Sequence, residues 1–183
     1  MQNGNGISFF NNQVYFLFIG VMMPDKIEKE LKTWLADAEK VVVAGIGNPI
    51  RTDDYVGLSI VEKLKGKLPK TVLLLETETV PESYLLDIEE FRPSHVILID
   101  AAFLGLKPGE SSLLEAEKVV DYSAITTHLI PLRLFCDYIK QATGAKIALL
   151  LIEPKSMEFG EGLTAEVQLA AEVLTKILLS LLV

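Results

Sequence analysis

A few acidic and imidazole side chains stand where an apolar run gives way to a loop or a helix. Asp53 and Asp54 follow the apolar run Val41–Ile46 within the stretch VVVAGIGNPIRTDDYVG. Asp100 directly follows the run HVILI, and His128 lies within ITTHLIP. Two carboxylates and one imidazole can hold a divalent metal ion through oxygen and nitrogen ligands. The same groups can also carry out acid–base hydrolysis without a metal of their own.

Each of these residues also has a simpler structural explanation. An acid in the first turn of a helix is stabilised by about 0.3–1 kcal/mol, which explains Asp53 or Asp54 alone better than both. An aspartate after a buried strand, such as Asp100, often only ties down a loop, although burying an unpaired carboxylate is costly. His128 could simply begin a helix. His95 starts a strand at the opposite edge and is predicted to lie at the surface.

Several common catalytic motifs are missing from the sequence. It contains no HExxH zinc motif, no GxSxG nucleophile motif and no GxxxxGKS/T phosphate loop. Gly45 and Gly47 begin like a dinucleotide-binding fingerprint, but Ile50 occupies the third glycine position. The single cysteine, Cys136, stands among apolar residues of a predicted helix and is interpreted as a small buried hydrophobic side chain.

The composition is typical of one compact globular domain. The 183 residues suffice for a full core, and 50% of them are hydrophobic. The formal net charge of −8 opposes binding to phosphate backbones, so no nucleic-acid partner is expected. A single cysteine can form neither an internal disulfide nor a cysteine-rich metal site, which suits a reducing cytoplasm.

Apolar runs and amphipathic segments alternate along the sequence. The apolar runs predict strands over residues 41–46, 71–75, 95–99, 111–114 and 147–152. Helices are predicted over residues 25–36, after a cap at Thr52 or Asp53, over 81–91, from Thr127 or His128 to before Gly144, and from about Thr164 onward. This alternation favours a three-layer α/β/α sandwich around a mainly parallel twisted sheet. Sites in such sheets lie at the carboxyl ends of the strands.

The first 22 residues carry no charged side chain. Their apolar part, residues 14–23, is too short to span a bilayer as a helix and lacks the features of a secretory signal. Three interpretations stay open: an added strand, an oligomer contact, or translation from an upstream start. We therefore divide the chain into an uncharged N-terminal arm, residues 1–22, and a single α/β domain, residues 23–183. Packing of this arm between subunits would make the protein a homo-oligomer.

Four segments of the chain together resemble the hydrogenase maturation endopeptidases, which trim the C-terminal extension from the large-subunit precursor of nickel–iron hydrogenases. They are GIGNPIRTDDYVG, FRPSHVILIDAAFLGLKPGE, ITTHLIPL and LLIEPKSMEFGEGLT, in order and at matching spacing. The resemblance is closest to the branch that serves hydrogenases of the formate-hydrogenlyase type. The uncharged N-terminal segment is not part of the family pattern, and Leu151 stands where close relatives often have glycine.

The resemblance implies a fold like that of the phosphorylase/hydrolase group and a partner, the large-subunit precursor, already loaded with nickel. It implies nickel contacts at Asp54, Asp100 and His128, and Asp54 and Asp100 are the predicted catalytic residues. Two roles for nickel stay open: a Lewis acid, or only a recognition element while a carboxylate acts as the general base. The family is commonly grouped with aspartic endopeptidases. It also implies that the protein has no tightly bound cofactor, because nickel arrives with the substrate.

Neighbouring residues are interpreted as support for this site. Gly45 and Gly47 let the backbone turn sharply, and Asn48 with the following proline fixes the turn. Asp53 caps or braces the next helix, so Asp53→Asn is expected to be mild because asparagine also caps helices well. Thr127 directly precedes His128 and belongs to the same supporting set.

Two further hypotheses stay open. Peptidyl-tRNA hydrolases also have a Gly-Asn-Pro turn after the first strand, but they need a His-Asn pair where this chain has Asp53 and Asp54. The acidic net charge also argues against tRNA. A nickel-sensing chaperone would bind the precursor without cutting it. Loss of the C-terminal peptide from a nickel-loaded precursor distinguishes the enzyme from the chaperone.

Overall fold

A computed structural model describes residues 24–118 and 129–183. The predicted arm, residues 1–22, and the predicted site residues Thr127 and His128 lie outside the described residues. The strands are β1 (Val41–Ile46), β2 (Val72–Glu78), β3 (His95–Ala101), β4 (Ser111–Glu115) and β5 (Lys146–Ile152). The helices are α1 (Pro24–Trp34), α2 (Val56–Leu64), α3 (Leu85–Phe91), α4 (Leu129–Thr143) and α5 (Ala165–Leu182), with 3-10 turns at Thr52–Tyr55, Pro81–Tyr84 and Ala116–Lys118.

Within residues 24–118 and 129–183, the strands form one five-stranded sheet in the order β2-β1-β3-β5-β4. β1 pairs in parallel with β2 and β3, and β3 pairs in parallel with β5. β4 pairs with β5 in the antiparallel direction. The prediction of a mainly parallel sheet is therefore confirmed. Since parallel strands share one direction, the carboxyl ends of β1, β3 and β5 meet at a single edge of the sheet.

Helices cover both faces of this sheet. Successive side chains of a strand point to opposite faces, and every residue of β1 and β3 is buried, so both faces need a covering layer. On one face, apolar side chains of α1, α2 and α5 pack against Val43, Ile97 and Ile99. On the other face, side chains of α3 and α4 pack against Val42 and Leu98. The predicted three-layer α/β/α sandwich is confirmed. In the described part of the chain, no helix combines the length and apolar character needed to cross a bilayer.

Glycines bring the start of α2 unusually close to the sheet. A Cβ atom on Gly57 would lie 2.3 Å from the carbonyl oxygens of both Ile46 and Ile99. A Cβ atom on Gly45 would lie 2.4 Å from the carbonyl oxygen of Gly57. The first turn of α2 therefore rests directly on β1 and β3, which sets the chain just before α2 at the ends of these strands.

The prediction that His95 lies at the surface is wrong, because its side chain is buried at the amino end of β3. Trp34, at the end of α1, covers the imidazole in a T-shaped contact with ring centroids 4.7 Å apart. Burial lowers the pKa of His95, although the nearby carboxylate of Asp37 opposes that shift. His95 thus belongs to the packing of α1 against the sheet, far from the carboxyl edge. Cys136 is buried, as predicted.

Candidate active site

The loop after β1, residues 47–54, folds back on itself and is called the β1 loop below. Gly47 adopts a φ of 144°, a backbone conformation that residues with a side chain rarely adopt. The Asn48 N–H donates to the Asp54 carbonyl at 3.3 Å, and Asn48 Oδ1 accepts from the Ile50 N–H at 3.2 Å. These bonds close the loop and hold Asp54 beside the carboxyl end of β1.

Asp54 and Asp100 are both buried at this edge. Asp100 lies near the end of β3, and its Oδ1 accepts the Ala101 N–H at 2.8 Å. Burial and the charge of Asp54 together raise the pKa of Asp100 to about 8, and the Ala101 hydrogen bond opposes both effects. The fold therefore brings together the two carboxylates that the sequence assigned to one site.

This acidic pair can serve two kinds of chemistry. At neutral pH Asp100 retains its proton, because its pKa lies at about 8. A protonated acid beside a second carboxyl group provides a proton donor and an acceptor for hydrolysis. A divalent cation beside the pair would displace that proton, since it offsets the negative charge that burial disfavours. Both chemistries that the sequence left open are thus available to the pair.

Asp53 has a different role from that of its neighbour. Its carboxylate accepts four hydrogen bonds, from the N–H groups of Lys155, Ser156 and Thr164 at 2.7–2.9 Å and from the Thr164 hydroxyl at 3.0 Å. The prediction that Thr52 or Asp53 caps the following helix is wrong, because neither the 3-10 turn nor α2 has a side-chain cap. Asp53 instead ties the β1 loop to the loop after β5.

Thr52 reinforces the same connection. It adopts a positive φ of 36°, which is uncommon for a residue other than glycine. Its hydroxyl donates to the carbonyls of Ser156 at 2.6 Å and Glu158 at 3.1 Å. Its N–H donates to the Gly160 carbonyl at 3.0 Å. The loop after β5, residues 153–164 and called the β5 loop below, is therefore fixed against the β1 loop over much of its length.

Glu153 links the third loop at this edge. It follows β5 directly, its side chain is buried, and its Oε2 accepts the N–H groups of Leu104 at 2.6 Å and Leu106 at 3.2 Å. This support role was not predicted from the sequence. A signal was available in the sequence, because Glu153 directly follows the apolar run of β5 just as Asp100 directly follows the run HVILI. The loops after β1, β3 and β5 thus form one connected rim around the acidic pair.

The structure brings part of the predicted site together. Asp54 lies close enough to Asp100 for its charge to act on that carboxyl group. The predicted supporting residues Gly45, Gly47, Asn48 and Asp53 lie at the end of β1 or in the β1 loop. Thr127 and His128 lie outside the described residues. Over residues 24–118 and 129–183, no group of three or more His, Cys, Asp or Glu side chains could hold a metal ion. The nickel contact by His128 therefore stays a prediction.

The fold and this rim define a class: a three-layer α/β protein with a buried acidic pair at the carboxyl ends of parallel strands. A family model for hydrogenase maturation proteases matches residues 58–181. The chain is 30% identical over 156 residues to a Methanocaldococcus jannaschii protein assigned by name to these proteases, covering 81% of this chain and 91% of that protein. It is 28% identical over 131 residues to the Escherichia coli hydrogenase 3 maturation protease, covering 72% and 83% of the two chains.

Among solved structures, the fold is similar to the crystal structure of a nickel–iron hydrogenase maturation protease from Thermococcus kodakarensis. The TM-score is 0.78 at 32% identity, and the superposition covers 84% of this chain and 98% of that chain. The chain therefore belongs to the hydrogenase maturation protease family. The segment that matches the family contains Asp100 and begins just after the β1 loop that carries Asp54.

Proposed function

We propose that this protein is the endopeptidase that removes the C-terminal extension from the large-subunit precursor of a nickel–iron hydrogenase after nickel insertion. Family membership supports both the peptidase activity and the large subunit as its target. The observation that carries the site assignment is the buried pair of Asp54 and Asp100, in which burial and, after it, the charge of Asp54 raise the pKa of Asp100. A raised pKa of this kind at the carboxyl edge of the sheet is typical of catalytic carboxyl groups.

In the proposed reaction, Asp54 acts as the general base. It takes a proton from a water molecule whose oxygen attacks the carbonyl carbon of the scissile peptide bond. The C–N bond then breaks, and the proton passes to the leaving amine, so that one water molecule is consumed. Asp100 is the second catalytic carboxyl group and, with Asp54 and His128, contacts the nickel of the precursor. This contact positions the scissile bond beside the water.

Nickel belongs to the substrate in this proposal, and the enzyme carries no tightly bound cofactor of its own. Two carboxylates and one imidazole leave coordination positions open for the ligands that the precursor already provides. Docked nickel would keep both carboxylates ionised, which differs from the shared proton of an aspartic-protease dyad. The proposed setting is the cytoplasm.

The direct test is cleavage of the precursor. Purified protein is incubated with nickel-loaded precursor, and mass spectrometry follows the large subunit and the released peptide. We expect loss of the C-terminal extension with wild-type protein, none with nickel-free precursor, and strongly slowed loss with the Asp54→Asn variant. Binding of the loaded precursor without any cleavage by the wild type would favour the chaperone hypothesis instead. Membership of the hydrogenase maturation protease family does not favour the peptidyl-tRNA hydrolase alternative.

A further inference from the structure

Large apolar side chains stand exposed on the three loops that surround the acidic pair. In the β1 loop Ile50 is 56% exposed, and in the β5 loop Phe159 is 79% exposed. In the loop after β3, Phe103 is 57% and Leu106 is 37% exposed. These four residues are called the apolar rim. Exposed apolar side chains grouped beside a site are typical of an interaction surface.

The backbone around Phe159 is held firmly although its ring is exposed. The Gly160 N–H donates to the Ile50 carbonyl at 3.0 Å, and the Gly160 carbonyl accepts the Thr52 N–H at 3.0 Å. On the other side, the Glu158 carbonyl accepts the Thr52 hydroxyl at 3.1 Å. Both neighbours of Phe159 are thus bonded to the β1 loop, and the exposed ring stands on a fixed support.

The Arg51 guanidinium group lies over the Phe159 ring. Its Nε and Nη2 atoms donate to the Met157 carbonyl at 3.1 and 2.9 Å, which fixes the guanidinium group. The Cζ atom of that group lies 5.7 Å from the centroid of the Phe159 ring, within cation–π range. An aromatic side chain that is already oriented loses little conformational entropy when a partner covers it. Such rigid aromatic residues are typical of binding hot spots.

We propose that the apolar rim, centred on Phe159, is the docking surface for an apolar patch of the precursor beside the cleaved segment. This inference rests on the proposed function, because it names the chemistry by which the same site recognises its protein substrate. Ile50 and Asp54 belong to one loop, and Ile50 is bonded to the residue after Phe159. The loop that carries Asp54 thus also carries one residue of the apolar rim and is bonded directly beside another.

The test compares Phe159→Ser with Leu86→Ser. Leu86 is a matched control because it is 72% exposed and lies on α3, outside the three loops. Steady-state cleavage of nickel-loaded precursor gives KM and kcat, and immobilised precursor gives Kd. We expect Phe159→Ser to raise KM and Kd at least about tenfold with kcat nearly unchanged, as loss of a hot spot does. Leu86→Ser should match the wild type. Thermal unfolding checks that both variants are folded.

The outcomes separate this inference from the proposed function. Cleavage by the wild type with unchanged KM in Phe159→Ser would overturn the docking surface and leave the activity intact. Precursor binding that weakens in Phe159→Ser, without cleavage by the wild type, would support the surface and reject the activity. If sedimentation shows a wild-type dimer that Phe159→Ser dissociates while KM is unchanged, the rim serves self-association and the inference is wrong.

Discussion

The backbone of Gly47 lies so close to Asp54 that a Cβ atom on Gly47 would stand 1.7 Å from the Asp54 carbonyl oxygen. No side chain fits in that space. Gly47 also adopts a φ of 144°, which strains any residue with a Cβ atom. The close approach is what allows the β1 loop to return to the end of β1 and place the Asp54 carboxyl group next to Asp100.

Gly47→Ala should abolish cleavage and destabilise the fold. The added methyl group meets a backbone carbonyl rather than a flexible side chain, so the β1 loop must move and carry Asp54 with it. The matched control is Gly66→Ala, since Gly66 has a φ of 71° and nothing within 4 Å of an added Cβ atom. It should lose only about 1–2 kcal/mol from backbone strain and stay active. Urea unfolding and the cleavage assay measure both; equal behaviour of the two variants would contradict the steric argument.

Much of the fold could be predicted because it follows from local patterns. The fully apolar run of β1 was predicted at its observed bounds, Val41–Ile46. β2 was predicted to end at Leu75, whereas it ends at Glu78, because its last three residues are polar and resemble a loop. They pair nonetheless with the end of β1, and the Thr77 hydroxyl donates to the Gly45 carbonyl at 2.9 Å. The polar residues are tolerated there because the buried Thr77 has its hydroxyl hydrogen bonded and Glu78 is exposed.

The candidate site could be predicted only in part, for a related reason. Asp54 and Asp100 were found because the carboxyl ends of parallel strands meet, which is a rule about local position. The role of Asp53 was missed because its hydrogen-bond partners lie 102 to 111 residues further along the chain. Local helix propensity suggested a cap, whereas the tertiary fold supplied four donors from another loop. The burial of His95 was missed because it depends on Trp34 from α1.

Asp53→Asn should be strongly destabilising, which replaces the mild effect expected from capping. The carboxylate accepts hydrogen bonds on both oxygens, whereas an amide offers one acceptor oxygen and turns its NH2 group toward N–H donors. The expected loss is at least about 2 kcal/mol, as for hydrogen bonds to a charged group. Asp137→Asn is the surface control, since the Asp137 side chain is 69% exposed and should change stability by no more than about 0.5 kcal/mol. Chemical denaturation measures both.

Stability should depend on pH through Asp100. Its pKa is raised from an ordinary value of 3.8 to about 8 in the folded protein, mainly by burial. Between pH 3.8 and about 8, Asp100 is protonated in the folded protein but ionised in the unfolded chain. The contribution of Asp100 to stability is therefore complete below pH 3.8 and is lost as the pH rises toward about 8. Asp100→Asn cannot titrate at this position. The unfolding free energy of the variant minus that of the wild type should rise by about 1.4 kcal/mol per pH unit from about pH 5 to 7. A constant difference would contradict the raised pKa.

The purified protein should contain no stoichiometric metal. In the proposed mechanism nickel stays with the precursor, so the ligands of the enzyme must release it with the product. Elemental analysis of protein purified without chelators should give well under one equivalent of nickel or zinc. One equivalent of either metal that survives dialysis would contradict the assignment of nickel to the substrate.

The three predicted nickel contacts should differ in how their loss affects cleavage and binding. Asp100→Asn and His128→Ala should weaken docking of the nickel-loaded precursor, because an amide oxygen is a poor substitute for an anion beside a divalent cation and alanine provides no ligand. Asp54→Asn should reduce cleavage by about 10²–10⁴-fold, as loss of a general base does. If proton transfer is its main role, that variant should bind the precursor nearly as well as the wild type.

The measurement pairs a pull-down of nickel-loaded precursor with the cleavage assay for each variant, and nickel-free precursor shows which part of the binding depends on the metal. Metal-dependent binding should fall in Asp100→Asn and His128→Ala, while the metal-independent part stays unchanged because the apolar rim is intact. Full activity in Asp100→Asn or His128→Ala would overturn the site assignment. Asp54 is assigned as the base because its charge acts on Asp100, whereas the Asp53 carboxylate accepts hydrogen bonds from the β5 loop. Normal cleavage by Asp54→Asn would therefore mean that this assignment is wrong.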